Sequence, residues 1–198
     1  MADSTRTRIL EACARRIAAD GIRGMRVSDV AKEAGVSVGL VYYHFNDREG
    51  LMSATLSFVH EASRERLPDL HPDSVAPDTD PVRATLLTDI ADTAAVRDNS
   101  IVWNEIRAIA VFEEALRDSL AESTQQWQAD LERDLAGAAL RLPADRAAVL
   151  LTAIIEGVSG RWLTGQLSTA EARALVSDAW QLVQSEPGAT DDAREPRA

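Results

Sequence analysis

Ser37, Val38, Gly39, Tyr42, Tyr43, His44 and Arg48 are small, aromatic with a hydrogen-bonding tip, or cationic, and no carboxylate interrupts Ser37–Asn46. That is docking chemistry, not bond-making chemistry: a carboxylate-free surface is what a polyanion needs, and Gly39 lets a backbone come close. Asp47 then caps a further helix, which sets Arg48 and backbone N–H groups at a positive helix end suited to a phosphate. Residues that do covalent or metal chemistry are scarce elsewhere. There is no Gly-rich phosphate loop, no Cys pair and no His-x-x-x-His. His60 and Glu61, with Glu65 one turn on, make half a metal site at most, and a lone helical histidine reads as a core or solvated residue. No metal and no cofactor is expected.

The docking residues need two short helices to hold them. Val27, Val30, Ala31 and Ala34 recur at helical spacing, which predicts a helix over Val27–Ala34. Gly35 stands where a helix ends in a left-handed residue, Val36 plugs the turn, and Ser37 is placed to cap the next helix, Val38–Phe45. Leu40, Val41 and Phe45 form its inward side. Two helices joined by a short Gly turn make a helix-turn-helix, whose second helix enters a major groove. Arg26 and Ser28 stand at the start of the first helix, on the side that would face DNA.

VSDVAKEAGVSVGLVYYHFNDREGL, residues Val27–Leu51, resembles the DNA-binding signature of TetR-family transcriptional regulators. The features are Asp29-Val30-Ala31, Ala34–Ser37, the Tyr42–Phe45 run, then Arg48, Glu49 and Leu51, and the match runs from Ile9 to Leu51 without a gap. Two positions depart from the pattern: Arg48 replaces the usual Lys, and Arg26 stands where a capping Thr or Ser is usual. The resemblance implies an all-α protein with an N-terminal three-helix DNA-binding domain and a larger C-terminal helical domain for effector binding and dimerisation. It further implies a homodimer that represses from a palindromic double-stranded operator until a small molecule releases it. Tyr42 and Arg48 would touch phosphates, while Val38 and Tyr43 can reach base edges. Leu150–Val158 is similar to a stretch of the subgroup that includes the choline-responsive repressor. The rival readings are a helical adaptor that retains the fold without binding DNA and, last, an all-α enzyme.

Composition is consistent with this. The 198 residues are 45% hydrophobic, with long stretches free of Gly and Pro, and suffice for one or two helical domains. The net charge of −11 looks wrong for DNA until it is divided: residues 1–50 carry +1 and the rest −12. The acidic part repels DNA everywhere except at the N-terminal face. Cys13 is a lone thiol on an apolar helix face, so no disulfide framework is expected. No long apolar run predicts a membrane span and no signal-peptide layout is present, so the expected location is the cytoplasm, in contact with the nucleoid.

Along the chain, Ser4–Asp20 reads as the opening helix, closed by Gly21, with Thr5, Arg6 and Arg8 beside the groove-reading helix. Asp47–Leu67 follows as a lever between domains 1–50 and 51–185. Residues 68–81, with four Pro and four Asp, read as a loop, and residues 186–198 as a disordered tail. Helices are expected over Pro81–Val96, over Ile101–Ala110 after a turn at Asp98-Asn99-Ser100, and from about Glu113 onward. Pro143–Gly165 and Ser168–Ser185 close the chain, and their excess of apolar side chains predicts a dimer interface. Leu151, Ile154, Ile155, Val158 and Trp162 would supply one half of it, and Leu175, Ala179 and Leu182 the other. Gly157 and Gly160 would permit a close approach there. Glu156 would pair with Arg161 or a partner arginine, or meet a ligand. A mainly apolar effector cavity is expected beside Val59, His60, Trp103, Phe112 and Trp127. Its effector would be apolar or amphipathic, and the acidity and tryptophans lean toward a cation.

Overall fold

A computed structural model describes residues 2–65 and 80–184. The loop assigned to residues 68–81, except its last two residues, and the tail assigned to residues 186–198 lie outside them. The described residues form helices α1 (Ala2–Gly24), α2 (Val27–Ala34), α3 (Val38–Phe45), α4 (Arg48–Glu65), α5 (Pro81–Leu86), α6 (Ala94–Ala110), α7 (Arg117–Asp134), α8 (Ala144–Leu163) and α9 (Thr169–Val183). No strand occurs among them; one isolated antiparallel bridge, Leu140 to Gln184, ties the α7–α8 connection to the end of α9.

α2 and α3 have the boundaries that spacing predicts. Gly35 ends α2 at φ 67° and ψ 39°, and the Val36 N–H reaches back to the Ala31 carbonyl at 2.9 Å. The Ser37 hydroxyl accepts from Leu40 N–H at 3.2 Å, and Asp47 accepts from Gly50 N–H at 2.7 Å. Arg26 precedes α2 in extended backbone and makes no cap bond. Val41 and Phe45 are buried, whereas Leu40 is only half-buried. α1 does not stop at Gly21 but breaks there, at φ 69° and ψ 162°, and resumes to Gly24.

The expected helix over Pro81–Val96 is instead three pieces. Asp80 caps α5 by accepting from Val82 N–H at 3.0 Å, a 3₁₀ turn covers Leu87–Asp89, and α6 begins after Thr93. The Thr93 hydroxyl accepts from Val96 N–H at 3.3 Å, so α6 starts a turn before Asp98-Asn99-Ser100 and those residues are helical. Their weak helix propensity is overridden because they find partners: Asn99 donates to the Ser63 hydroxyl, and Asn104 donates to the Ser100 carbonyl at 2.8 Å. A 3₁₀ turn, Glu114–Leu116, leads into α7. Ser168 and Glu171 close the expected capping box at the start of α9.

Two buried clusters hold the chain together. The first gathers α1–α4 with the inner face of α6 (Val102, Ile106, Ile109) and Leu116. The second gathers α5, the end of α7, α8 and α9. The apolar packing therefore does not divide at residue 50, because the N-terminal core runs on into α6.

The expected dimer residues sort against this packing. Leu151, Ile155, Val158, Trp162 and Ala179 are buried in their own chain's second cluster, and Ile154 is half-buried against it. The Trp162 indole donates to Thr169 Oγ1 at 2.9 Å, and the Arg97 guanidinium covers its ring. Leu175 and Leu182 do face outward. α8 is apolar over more than one face, and the wider half serves its own core. Gly160 faces α6: a Cβ there would lie 3.3 Å from Asn104 Oδ1. Cys13 is buried among apolar neighbours, and burial pushes its thiol up to about 11, so it stays a thiol at neutral pH.

Candidate nucleic-acid interface and interior cavity

α3 is presented by the elements around it. Val41 and Phe45 anchor it, the Arg6 guanidinium lies 5.5 Å from the Phe45 ring, and Ser37, Val38, Gly39, Tyr42 and Tyr43 are left exposed. Tyr43 is 79% exposed and its ring meets His44 edge-on at 5.4 Å. His44 is half-buried, and Arg26 and Ser28 are exposed at the start of α2. Val38, Gly39, Tyr42 and Tyr43 thus share one outward, acid-free face of α3, with His44 turned partly away from it.

Arg48 is different. Its Nη2 donates to the Ile22 carbonyl at 2.6 Å, so the guanidinium ties the start of α4 to the end of α1. The side chain is half-buried, and the planar head carries further N–H donors beyond that bond.

Gly50 is a residue that the sequence reading does not single out. A Cβ there would overlap the Phe45 carbonyl oxygen, so the first turn of α4 can pack on the end of α3 only with no side chain. The sequence signal was present but ambiguous, since a glycine early in a helix can also be a casual surface residue.

The second feature is a cavity at the seam of the two clusters, walled by α4, α5, α6, α7 and α8. His60, Trp103 and Trp127 line it as expected. The Trp103 and Trp127 rings lie 5.9 Å apart, with His60 edge-on to Trp103 at 6.3 Å. Val59 does not line it; it is buried in the first cluster, one residue out of phase with His60. Nor does Phe112, which is 75% exposed just past the end of α6.

The wall is more polar than expected. Asp89, Asp130, Asp134 and Glu156 bring carboxylates to it, and Arg64 and Arg107 bring guanidiniums. Asp130 is buried and fully engaged: it pairs with Arg133, Arg64 Nη1 lies at 3.0 Å, Gln126 donates at 2.9 Å, and His60 Nε2 lies at 3.2 Å. Glu156 pairs with Arg107 at 2.7 Å, which supplies neither of the arginine partners expected for it. Asn99 Oδ1 is buried and meets no donor, although its amide nitrogen is used. Sequence spacing hid these residues because their partners are remote; Asp130, one turn past Trp127, was the available hint.

Burial holds His60 below its usual 6.5, against the pull of Asp130, and raises Asp134 above 3.8, against Arg133 and Arg64. For His60 the sign follows directly. As pH falls through 6.5 the unfolded chain takes up the proton first, so the fold loses stability below that point. Asp134 acts oppositely at lower pH, since there the fold takes up the proton first. His60→Gln should therefore flatten the loss of thermal stability between about pH 7 and pH 5. An unchanged pH profile in that variant would contradict the assignment.

Among the described residues no group of side chains could hold a metal ion, and no helix is long and apolar enough to cross a membrane.

Comparison with known proteins adds two family likenesses and three individual ones. The model for bacterial regulatory proteins of the tetR family matches residues 9–55, and that for the C-terminal part of BetI-type transcriptional repressors matches residues 77–183. A putative TetR-family transcriptional regulator from Rhodococcus sp. is 41% identical, with a TM-score of 0.82 over 92% of this chain and 100% of that one. The HTH-type transcriptional regulator BetI of Burkholderia ambifaria is 27% identical over 85% of both chains. A putative transcriptional regulator from Saccharomonospora viridis, solved in complex with choline, shares the fold at 24% identity and a TM-score of 0.68, over 90% of this chain and 96% of that one.

Proposed function

Because the chain belongs to the TetR family of bacterial regulatory proteins and its C-terminal half matches BetI-type repressors, we propose that it is a repressor that covers a palindromic operator as a homodimer and lets go when a small molecule fills its cavity. Family membership makes it a DNA-binding transcriptional regulator and not an enzyme. The observation that carries the finer reading is the pairing of an exposed, acid-free α3 face with a cavity whose wall includes α4, the helix that packs under α3. Acting on DNA, the protein works in the cytoplasm.

DNA contact divides by position. Tyr42 approaches phosphates, and Val38 and Tyr43 face the base edges, with Ser37, Gly39 and His44 lining the approach. Against fragments from the intergenic DNA flanking its own gene, Tyr42→Ala should weaken binding to all fragments alike and leave the salt slope nearly unchanged, because the lost phosphate contact is a neutral hydrogen bond. Tyr43→Ala should instead reorder the fragments. A wild-type chain that retards none of these fragments would overturn the reading.

The dimer is formed by the outward faces of α8 and α9: Val149, Leu150, Leu175 and Leu182, with Ala153 and Gly157 as the small residues between them. All six are exposed, and nothing of the chain's own lies within 4 Å of a Cβ built at Gly157. Two-fold symmetry would set the recognition helices roughly 34–36 Å apart, or a multiple.

The effector is a small organic cation with an N–H or O–H donor. Four carboxylates and two indole rings favour positive charge, and Asn99 Oδ1 offers an unmet acceptor. The choline-bound relative fits this class at the level of fold. On filling, the cation competes with His60 and Arg64 of α4 for Asp130, and α4 shifts. Choline titrations, read by quenching of Trp103 and Trp127, should give weaker binding when DNA is present, and tetramethylammonium, which lacks the donor, should bind less tightly than choline. A coupling of about 1–3 kcal/mol would be reciprocal. Equal affinity with and without DNA would sink the release mechanism and leave DNA recognition standing.

A further inference from the structure

Both backbone polar groups of Ile22 are held, each by a different helix. Its N–H donates to Glu105 Oε2 at 2.7 Å, and its carbonyl accepts from Arg48 Nη2 at 2.6 Å. Glu105 belongs to α6 and Arg48 to the start of α4, so one residue near the end of α1, through its two flanking peptides, joins three helices. The break at Gly21 creates the site. At φ 69° and ψ 162° it turns the next N–H out of the helical ladder, and a Cβ at Gly21 would stand 3.1 Å from the Glu105 carboxylate. Only glycine offers both that conformation and that clearance.

Glu105 occupies a telling turn of α6. Trp103, Asn104 and Arg107 beside it line the cavity, whereas Val102 and Ile106 are buried in the first cluster. A single turn of helix therefore touches the cavity, the N-terminal core and the kink of α1. Beyond Ile22 the chain has only Arg23 to Arg26 to cross before α2 begins.

We propose that Glu105 is the positioning residue through which the state of the cavity reaches the DNA-reading helices, by way of the Ile22 backbone and Arg48. A displacement of α6 by a few tenths of an ångström lengthens the bond from Ile22, whose strength falls steeply with distance and angle. The end of α1 then moves relative to Arg48, and α2 and α3 follow it. This route runs through α6 and α1, in addition to any shift of α4. It rests on the regulator reading for its purpose, but its physical content can be tested without DNA or effector.

The test is hydrogen–deuterium exchange on the full chain, with Arg107→Ala disturbing the cavity wall by breaking the pair with Glu156. In Glu105→Ala, exchange over residues 21–26 should rise roughly tenfold, with a smaller rise over residues 27–45 and none in α8 or α9. Glu105→Gln keeps an acceptor oxygen and should stay close to wild type. Arg107→Ala should alter exchange over residues 21–26 when Glu105 is present and add nothing when it is absent. No rise in Glu105→Ala, or an Arg107→Ala effect of equal size in both backgrounds, would overturn the proposal. Should the alanine variant also open α8 and α9, Glu105→Met fills the space without an acceptor, and the same two comparisons decide. A wild-type chain that shifts no DNA would sink the regulator reading, while the exchange result would still report on the relay.

Discussion

Glutamate at both Leu150 and Leu182 should convert a dimer into a folded monomer. Leu182 is 74% exposed and Leu150 42% exposed, so neither substitution puts a charge into the chain's own core. Across a two-fold axis each carboxylate would be placed in a surface about to lose its water, at a desolvation cost that the apolar neighbours there do not offset. The expected result is half the mass by light scattering with an unchanged helical signal. Affinity for a palindromic fragment should fall on the order of 10²–10⁴-fold, because the second half-site is no longer tethered to the first. Leu151→Glu with Ile155→Glu makes a different experiment: both side chains are buried within the chain, and that pair should unfold or aggregate it. A dimer that survives the outward-facing pair places the interface elsewhere.

Gly50→Ala should be the most damaging single methyl in the DNA-binding half. In an ordinary helix this change stabilises by about 0.5–1 kcal/mol. Here the new Cβ overlaps a backbone carbonyl, that of Phe45, and no flexible side chain is available to swing aside. Either α4 backs away from α3 or the last turn of α3 opens, and a loss of about 3 kcal/mol is expected. DNA binding should fall with it, since Phe45 is one of the two buried anchors of α3. Gly39→Ala provides the contrast: it lies in the same helix-turn-helix with no contact nearer than 3.9 Å and should be neutral or slightly stabilising. Thermal unfolding of the two variants side by side gives the sign. Equal stability would mean that the α3–α4 corner is looser than the backbone approach implies.

What the sequence made legible was local. The boundaries of α2 and α3 follow from the Gly35 turn, the Ser37 cap and the spacing of Val27, Val30, Val41 and Phe45, all decided within a few residues of one another. The capping box at Ser168 is legible for the same reason. The cavity was only half legible. Trp103, Trp127 and His60 mark it, but Asp130 and Glu156 owe their inward orientation to His60 and Arg107, which are 70 and 49 residues away. Val59 shows how fine the margin is: one step along α4, about 100° of rotation, separates core from cavity. On α8 the apolar pattern was correct and its direction was not. Val149 and Leu150 face out while Ala148 and Leu151 face in, a distinction that periodicity cannot make when both sides are apolar. Asp98-Asn99-Ser100 misled through composition alone, because a better cap at Thr93 had already started the helix.

The continuity of the first buried cluster into α6 bears on how such proteins can be recombined. A hybrid that joined residues 1–50 of this chain to the remainder of a relative would not exchange a module. It would set Ile9, Cys13 and Ile17 against foreign residues at the positions of Val102, Ile106 and Ile109, and Gly21 against a foreign residue in place of Glu105. A working junction must carry the inner face of α6 along with the reading head. The boundary of the reading head, as packing draws it, lies within α6 and not at residue 50.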